Sequence, residues 1–244
     1  MSNLAIKIDF PTRYLGRNEF GACQTVPSEI LALVAQVKVA AGWKEGIEDT
    51  GYKGGYEARH VDVYGFDVVR QLAVVQLRRC WKKKDSWYPE VSKAYALIGI
   101  DDGQVFSHTI DGSPRRQRDF DYQAPEDTVK WAEAKIFNIP VSKLGTIIRQ
   151  GDVALVPVSS IPRGAVKIPL PAGARVHKWT FGGSHNVVID GEMFETDSAY
   201  FARGLVESEH SPGQHRPIAA EGRFRISIGL RGVEPWWTDT ELGD

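Results

Sequence analysis

A strict period of two closes the chain. Phe224, Ile226, Ile228 and Leu230 fall on one side, Arg223, Arg225 and Ser227 on the other, with Arg231 at the end. Only a pleated strand sends successive side chains to opposite faces, so this segment predicts a strand with one face in a core and the other in water. Residues 4–10 read the same way, with Leu4, Ile6, Ile8 and Phe10 against Lys7 and Asp9. Residues 60–111 read as a β-meander, and Asp101-Asp102-Gly103 has the Asp-Gly chemistry of a hairpin turn. Residues 68–79 fit both periods. Their β-branched content favours a strand, with a helix as the competing reading.

Two segments switch to helical spacing. Ile30, Leu31, Val34 and Val37 recur with Thr25 or Ser28 as N-cap and Gly42 as stop. Pro125, Glu126 and Asp127 give a strong start signal, followed by Val129, Ala132 and Ile136 on one side and ended by Pro140. The expected fold is therefore α+β, mainly antiparallel β-sheet or barrel-like, with helices at about 28–41 and 125–138. The expected division is an N-terminal α+β region, 1–140, and a C-terminal β-rich region, 141–244. Within the latter, residues 144–149 and 152–158 read as strands, and Pro157, Pro162, Pro169 and Pro171 punctuate a loop. Residues 44–55 read as a glycine-rich loop, because neither phosphate-binding glycine pattern is present.

Composition narrows the function classes. With 244 residues, 42% hydrophobic and 25% charged, the chain can build a core without staples. A net charge of −1 argues against a generally basic nucleic-acid binder and leaves room for a local basic face. Two cysteines make no disulfide framework, and no uncharged apolar run reaches the length of a membrane span. The N-terminus lacks a secretory h-region. The expectation is a cytoplasmic protein with no membrane partner.

Four of the six histidines lie in the last third: His177, His185, His210 and His215. His185 follows a Phe181-Gly182-Gly183-Ser184 turn, while His210 and His215 bracket Pro212-Gly213 beside Glu207 and Glu209. If the flanking runs are neighbouring antiparallel strands, these imidazoles converge at one end of a sheet. Imidazole with carboxylate suits a transition metal such as zinc, and an open coordination position would make such a site catalytic. Without a metal, a His–Glu pair could serve as general base. The alternative is that these are turn residues bonded to backbone. One echo joins them: Ser107-His108 to Asp111-Gly112 resembles Ser184-His185 to Asp190-Gly191. It reads as two hairpins with Asp-Gly turns, or else as a duplicated unit presenting equivalent histidines.

A second constellation is basic and aromatic. Arg70, Arg78, Arg79, Lys82, Lys83 and Lys84 interleave with Trp81, Trp87 and Tyr88, and Arg115, Arg116 and Arg118 follow in a later loop. Cations with stacking platforms are what single-stranded nucleic acids use. The competing explanation is an edge strand whose lysines block aggregation.

Three pieces in order carry a family resemblance: Gly151 to Val158 (GDVALVPV), Gly182-Gly183-Ser184-His185, and His215-Arg216-Pro217-Ile218 followed by Gly222-Arg223-Phe224-Arg225-Ile226. Residues 151–226 resemble an uncharacterised family of bacterial and phage-borne β-rich proteins. The resemblance implies a β-rich fold and carries no activity. Gly183 and Pro212 stand where that pattern has histidines, so only His185 and His215 match it.

Three functions stay open at this point. One is an accessory or binding protein with a histidine site, metal-bound or acid–base, which leaves open whether it is an enzyme. The second is a single-stranded nucleic-acid-binding module. The third is a structural or assembly protein of a phage or mobile element, working as a homo-oligomer or in a larger assembly. No G-x-S-x-G, P-loop or dinucleotide fingerprint is present.

Overall fold

The computed structural model describes residues 25–43, 46–49, 56–82, 90–101, 103–114, 124–150, 153–181, 185–210 and 217–229. The expected strand at 4–10 lies outside them. The fold is α+β and mostly antiparallel sheet, in two units. The first takes residues 1–100, 105–132 and 231–244, the second 101–104 and 133–230. The division falls within a helix, between Ala132 and Glu133.

In the first unit, helix α1 (Ser28–Ala40) precedes strands β1 (Gly46–Asp49), β2 (Tyr56–Asp67), β3 (Leu72–Lys82), β4 (Glu90–Asp101) and β5 (Gln104–Ile110), which form one sheet in sequence order. β1 falls inside the segment expected to be loop. It is held by register to β2, from Gly46 opposite Arg59 to Asp49 opposite Tyr56, which no local pattern announces. Pro27 is the N-cap of α1 and no side chain caps it; the Ser28 hydroxyl bonds Glu29 instead. At the other end Trp43 N–H donates to the Lys38 carbonyl and Gly42 N–H to that of Val39, the paired bonds that close a helix on a left-handed glycine. Ile30, Leu33, Val34 and Val37 are buried, whereas Leu31 lies off that stripe and is exposed. They pack on Val61, Val63, Ala73, Val75, Leu77, Ala96 and Ile98 of the sheet.

Helix α2 (Pro125–Ile136) begins on the other face of that sheet. Asp127 accepts a bond from the Ala124 amide, so the acid of the first turn caps the start. A Cβ on Gly65 would lie 2.4 Å from Thr128 Cβ and 2.5 Å from the Pro125 carbonyl, so this close approach requires glycine. Polar groups are buried on this face. Asp62, Gln76 and Tyr95 occupy one rung, and the Gln76 amide donates to the hydroxyls of Tyr95 (2.8 Å) and Tyr64 (3.3 Å). A bonded buried network of this kind rigidifies the sheet.

The second unit runs through a 3₁₀ helix (Val141–Thr146), β6 (Ile148–Gln150), β7 (Val153–Pro157), β8 (Val166–Ile168), β9 (His177–Phe181), β10 (His185–Thr196), β11 (Ala199–His210) and β12 (Ile218–Ile228). The expected strand at 144–149 is therefore half 3₁₀ helix, with Ile148 and Arg149 in β6. Strand order is β6-β7-β12-β11-β10-β8, with β9 also paired to β10. Gly191 faces Gly204, which faces Gly222, so three adjacent strands carry glycine on a single rung. A Cβ on Gly191 would come within 2.2 Å of the Arg203 carbonyl, and one on Gly204 within 2.3 Å of that of Asp190. Beyond this rung β10 changes partner, from β9 opposite residues 185–189 to β8 opposite residues 193–195. Val187, Ile189 and Val206 from one side of the rung share a core with Met193, Ala202, Phe224 and Ile226 from the other. A sheet can bury the same face against itself only by bending, and glycine kinks are how sheets bend sharply.

Candidate functional site

The first candidate lies toward the end of β3 in the five-stranded sheet. β3 is its central strand, with β2 and β4 on either side, so a lysine-guarded edge does not describe it. The register sets Arg79 between Arg59 of β2 and Ser92 of β4, and Arg78 between His60 and Lys93. Successive strand residues take opposite faces, so Arg78 and Arg79 part company. Arg79 and Trp81 continue the α1 face after Ala73, Val75 and Leu77; Arg78 continues the face of Val74 and Gln76. The Arg79 guanidinium lies 5.4 Å from the Trp81 ring centre, within cation–π range. Nε of Arg78 is buried with no hydrogen-bond partner among the described residues.

Two neighbouring rungs thus carry Arg59 and Arg79 on one face of the sheet and Arg78, Lys93 and His60 on the other. Like charges directly opposite in a ladder destabilise it by roughly 0.2–1 kcal/mol per pair. Arg59 and His60 stand well before the 78–84 run and Lys93 after it, so only pairing joins them to it. Arg70 does not belong to the group. It sits at the far end of β3, bonded through Nε to Asp67 at 2.6 Å. Lys82 ends β3 opposite Tyr56. Lys83, Lys84, Trp87, Tyr88, Arg115, Arg116 and Arg118 lie outside the described residues.

The second candidate lies at one end of the second sheet. His185, the first residue of β10, is the register partner of His210, the last of β11, and of Phe181 on β9. Two rungs inward, on the same face, stand Trp179, Val187, Ser208 and Ile218. Val187 and Ser208 are both fully buried, and the Ser208 hydroxyl donates to Oε1 of buried Gln150 at 2.8 Å.

The other expected members of a histidine site are not on that rung. His177 is buried opposite Ile189, four residues along β10 from His185, about 14 Å at strand rise. Glu207 pairs with Val188 and Glu209 with Asn186, which are the alternate positions of the ladder and belong to its other face. His215 lies outside the described residues. Among the described residues no group of three or more His, Cys, Asp or Glu side chains is placed to hold a metal ion. The echo dissolves as well. His108 is buried in β5 ahead of a bend at Asp111-Gly112, whereas Asp190-Gly191 lies in the middle of β10 and makes no turn.

Among the described residues no helix is long and apolar enough to cross a membrane. Compared with protein-family models, curated proteins and solved structures, the chain finds no match in any of the three.

Proposed function

We propose that this chain is a binding protein for single-stranded nucleic acid, which it takes on the cationic rungs of the five-stranded sheet. The observation that carries the reading is that Arg59 and Arg79 stand directly opposite each other on one face of the sheet, with Trp81 two residues further along it. A polyanion laid along that face meets both cations at once. Trp81 beside Arg79 adds an aromatic surface for a base to stack on. The net charge of −1 gives the chain no overall attraction for phosphate, so the reading rests on local cations.

Salt-titrated binding of labelled single-stranded RNA and DNA tests it. If the two cations of that face each neutralise one phosphate, log K falls with log salt at a slope of about −1.4, so affinity drops about 7-fold between about 50 and 200 mM. The double substitution Arg59→Ala with Arg79→Ala should abolish that slope. No salt-dependent binding at low ionic strength, or an unchanged slope in the double variant, overturns the reading.

A further inference from the structure

We propose that the outer face of the bent sheet in the second unit docks a second copy of this chain, met head to tail. This rests on the other sheet and is independent of the nucleic-acid reading. On one side of the glycine rung the register gives this face, among the described residues, four cations, Lys167, Arg203, Arg223 and Arg225, against one acid, Glu192. On the other side it gives three acids, Asp190, Glu207 and Glu221, against one cation, Lys178 at the margin. The sign of the face reverses across the bend.

Both halves are open to solvent. Asp190, Glu207 and Glu221 are exposed, and Leu205 stands between Asp190 and Glu221 with 37% of its surface exposed. On the basic half, Glu192 accepts from Lys167 at 2.8 Å and also from Arg203, so one carboxylate answers two cations. Arg223 donates to the Ser159 carbonyl and Arg225 to that of Asn138, neutral acceptors that leave both charges unmatched. The inner faces of the two halves share the core of Val187, Val206, Met193 and Phe224, so their outer faces look away from one another. One copy therefore offers a basic and an acidic surface in opposed directions. Such surfaces meet unlike surfaces of the next copy, the heterologous contact that runs on as a chain or ring instead of closing as a pair. Leu205 supplies a small apolar centre, and the charges around it set register and steer the encounter.

Sedimentation velocity of nuclease-treated, full-length protein over a concentration series tests it. At low salt the average mass should rise with concentration past that of two copies; near 1 M salt, where screening acts within about 3 Å, it should fall toward one copy. Two neutralised variants separate the halves: Glu207→Gln with Glu221→Gln, and Lys167→Gln with Arg223→Gln. Each keeps one half intact and should stay monomeric by itself at low salt. Their equimolar mixture should form a two-copy complex and nothing larger, because the intact basic half of one meets the intact acidic half of the other. That recovery also shows that neither variant has failed to fold. A parent protein that stays monomeric at low salt, a parent that stops at two copies, a variant that associates by itself as the parent does, or a mixture that stays monomeric overturns the proposal.

Discussion

The rings of Trp179 and Tyr200 meet with centroids 4.1 Å apart at an interplanar angle of 64°. Trp179 pairs with Val187, which pairs with Ser208, and Ser208 lies eight residues along β11 from Tyr200. On a flat strand that separation is about 27 Å. The two rings touch because the sheet doubles back between them, and the glycine rung is where it does so. The core that Val187 and Val206 share with Met193 and Phe224 follows from the same bend.

Replacing the middle glycine should therefore undo more than one residue's packing. In Gly204→Ala the new Cβ meets the Asp190 carbonyl at 2.3 Å, at a φ of +132° that disfavours any side chain. A loss of about 1–3 kcal/mol is expected in urea unfolding. Gly164→Ala, with open space at the same atom and ordinary φ, should stay within about 0.5 kcal/mol of the parent. Equal effects at the two positions would remove the hinge.

What the sequence announces and what it hides divide along the range of the interaction. The spacing of Ile30, Val34 and Val37 and the Pro125-Glu126-Asp127 start are local, and both helices stand close to where they are expected. The alternation from Phe224 to Ile228 likewise lies within β12. Gly191, Gly204 and Gly222 stand far apart in sequence and become a hinge only through pairing. Asp190-Gly191 has turn chemistry yet lies mid-strand, because its glycine serves that hinge. Among candidate site residues the pairing is equally decisive. It sets His185 against His210 in register and leaves His177 four rungs away, and it puts Arg79 with Arg59 on one face and Arg78 with Lys93 on the other.

The turn between β2 and β3 makes a prediction about acid. Partial burial opposes ionisation of Asp67, and this is outweighed by hydrogen bonds from the side chain and amide of Arg70, so its carboxyl titrates below the ordinary carboxylate range. A depressed carboxyl contributes stability above its unfolded pKa of about 3.9 and loses it as pH falls through the lower, folded value. Asp67→Asn should thus melt below the parent protein at neutral pH, with the gap closing only below about pH 4. Arg70 is exposed and Asp67 only half-buried, so the gap is small and salt-sensitive. A gap that closes near pH 6 would assign it to another group.

Lys93→Glu separates stability from binding in a single substitution. Lys93 is exposed and faces Arg78 across the β3–β4 ladder, on the face opposite Arg79 and Trp81. Reversing its charge replaces a repulsive pair with an attractive one, worth roughly 0.2–1 kcal/mol in favour of the fold. The variant should therefore unfold at higher urea, most clearly at low ionic strength where screening is least. Its salt slope for a single strand should match the parent's, because the phosphate contacts belong to Arg59 and Arg79 on the other face. A variant that loses binding would place the strand on the Arg78 face instead, and a variant unchanged in stability would mean that the pairing carries no energy at all.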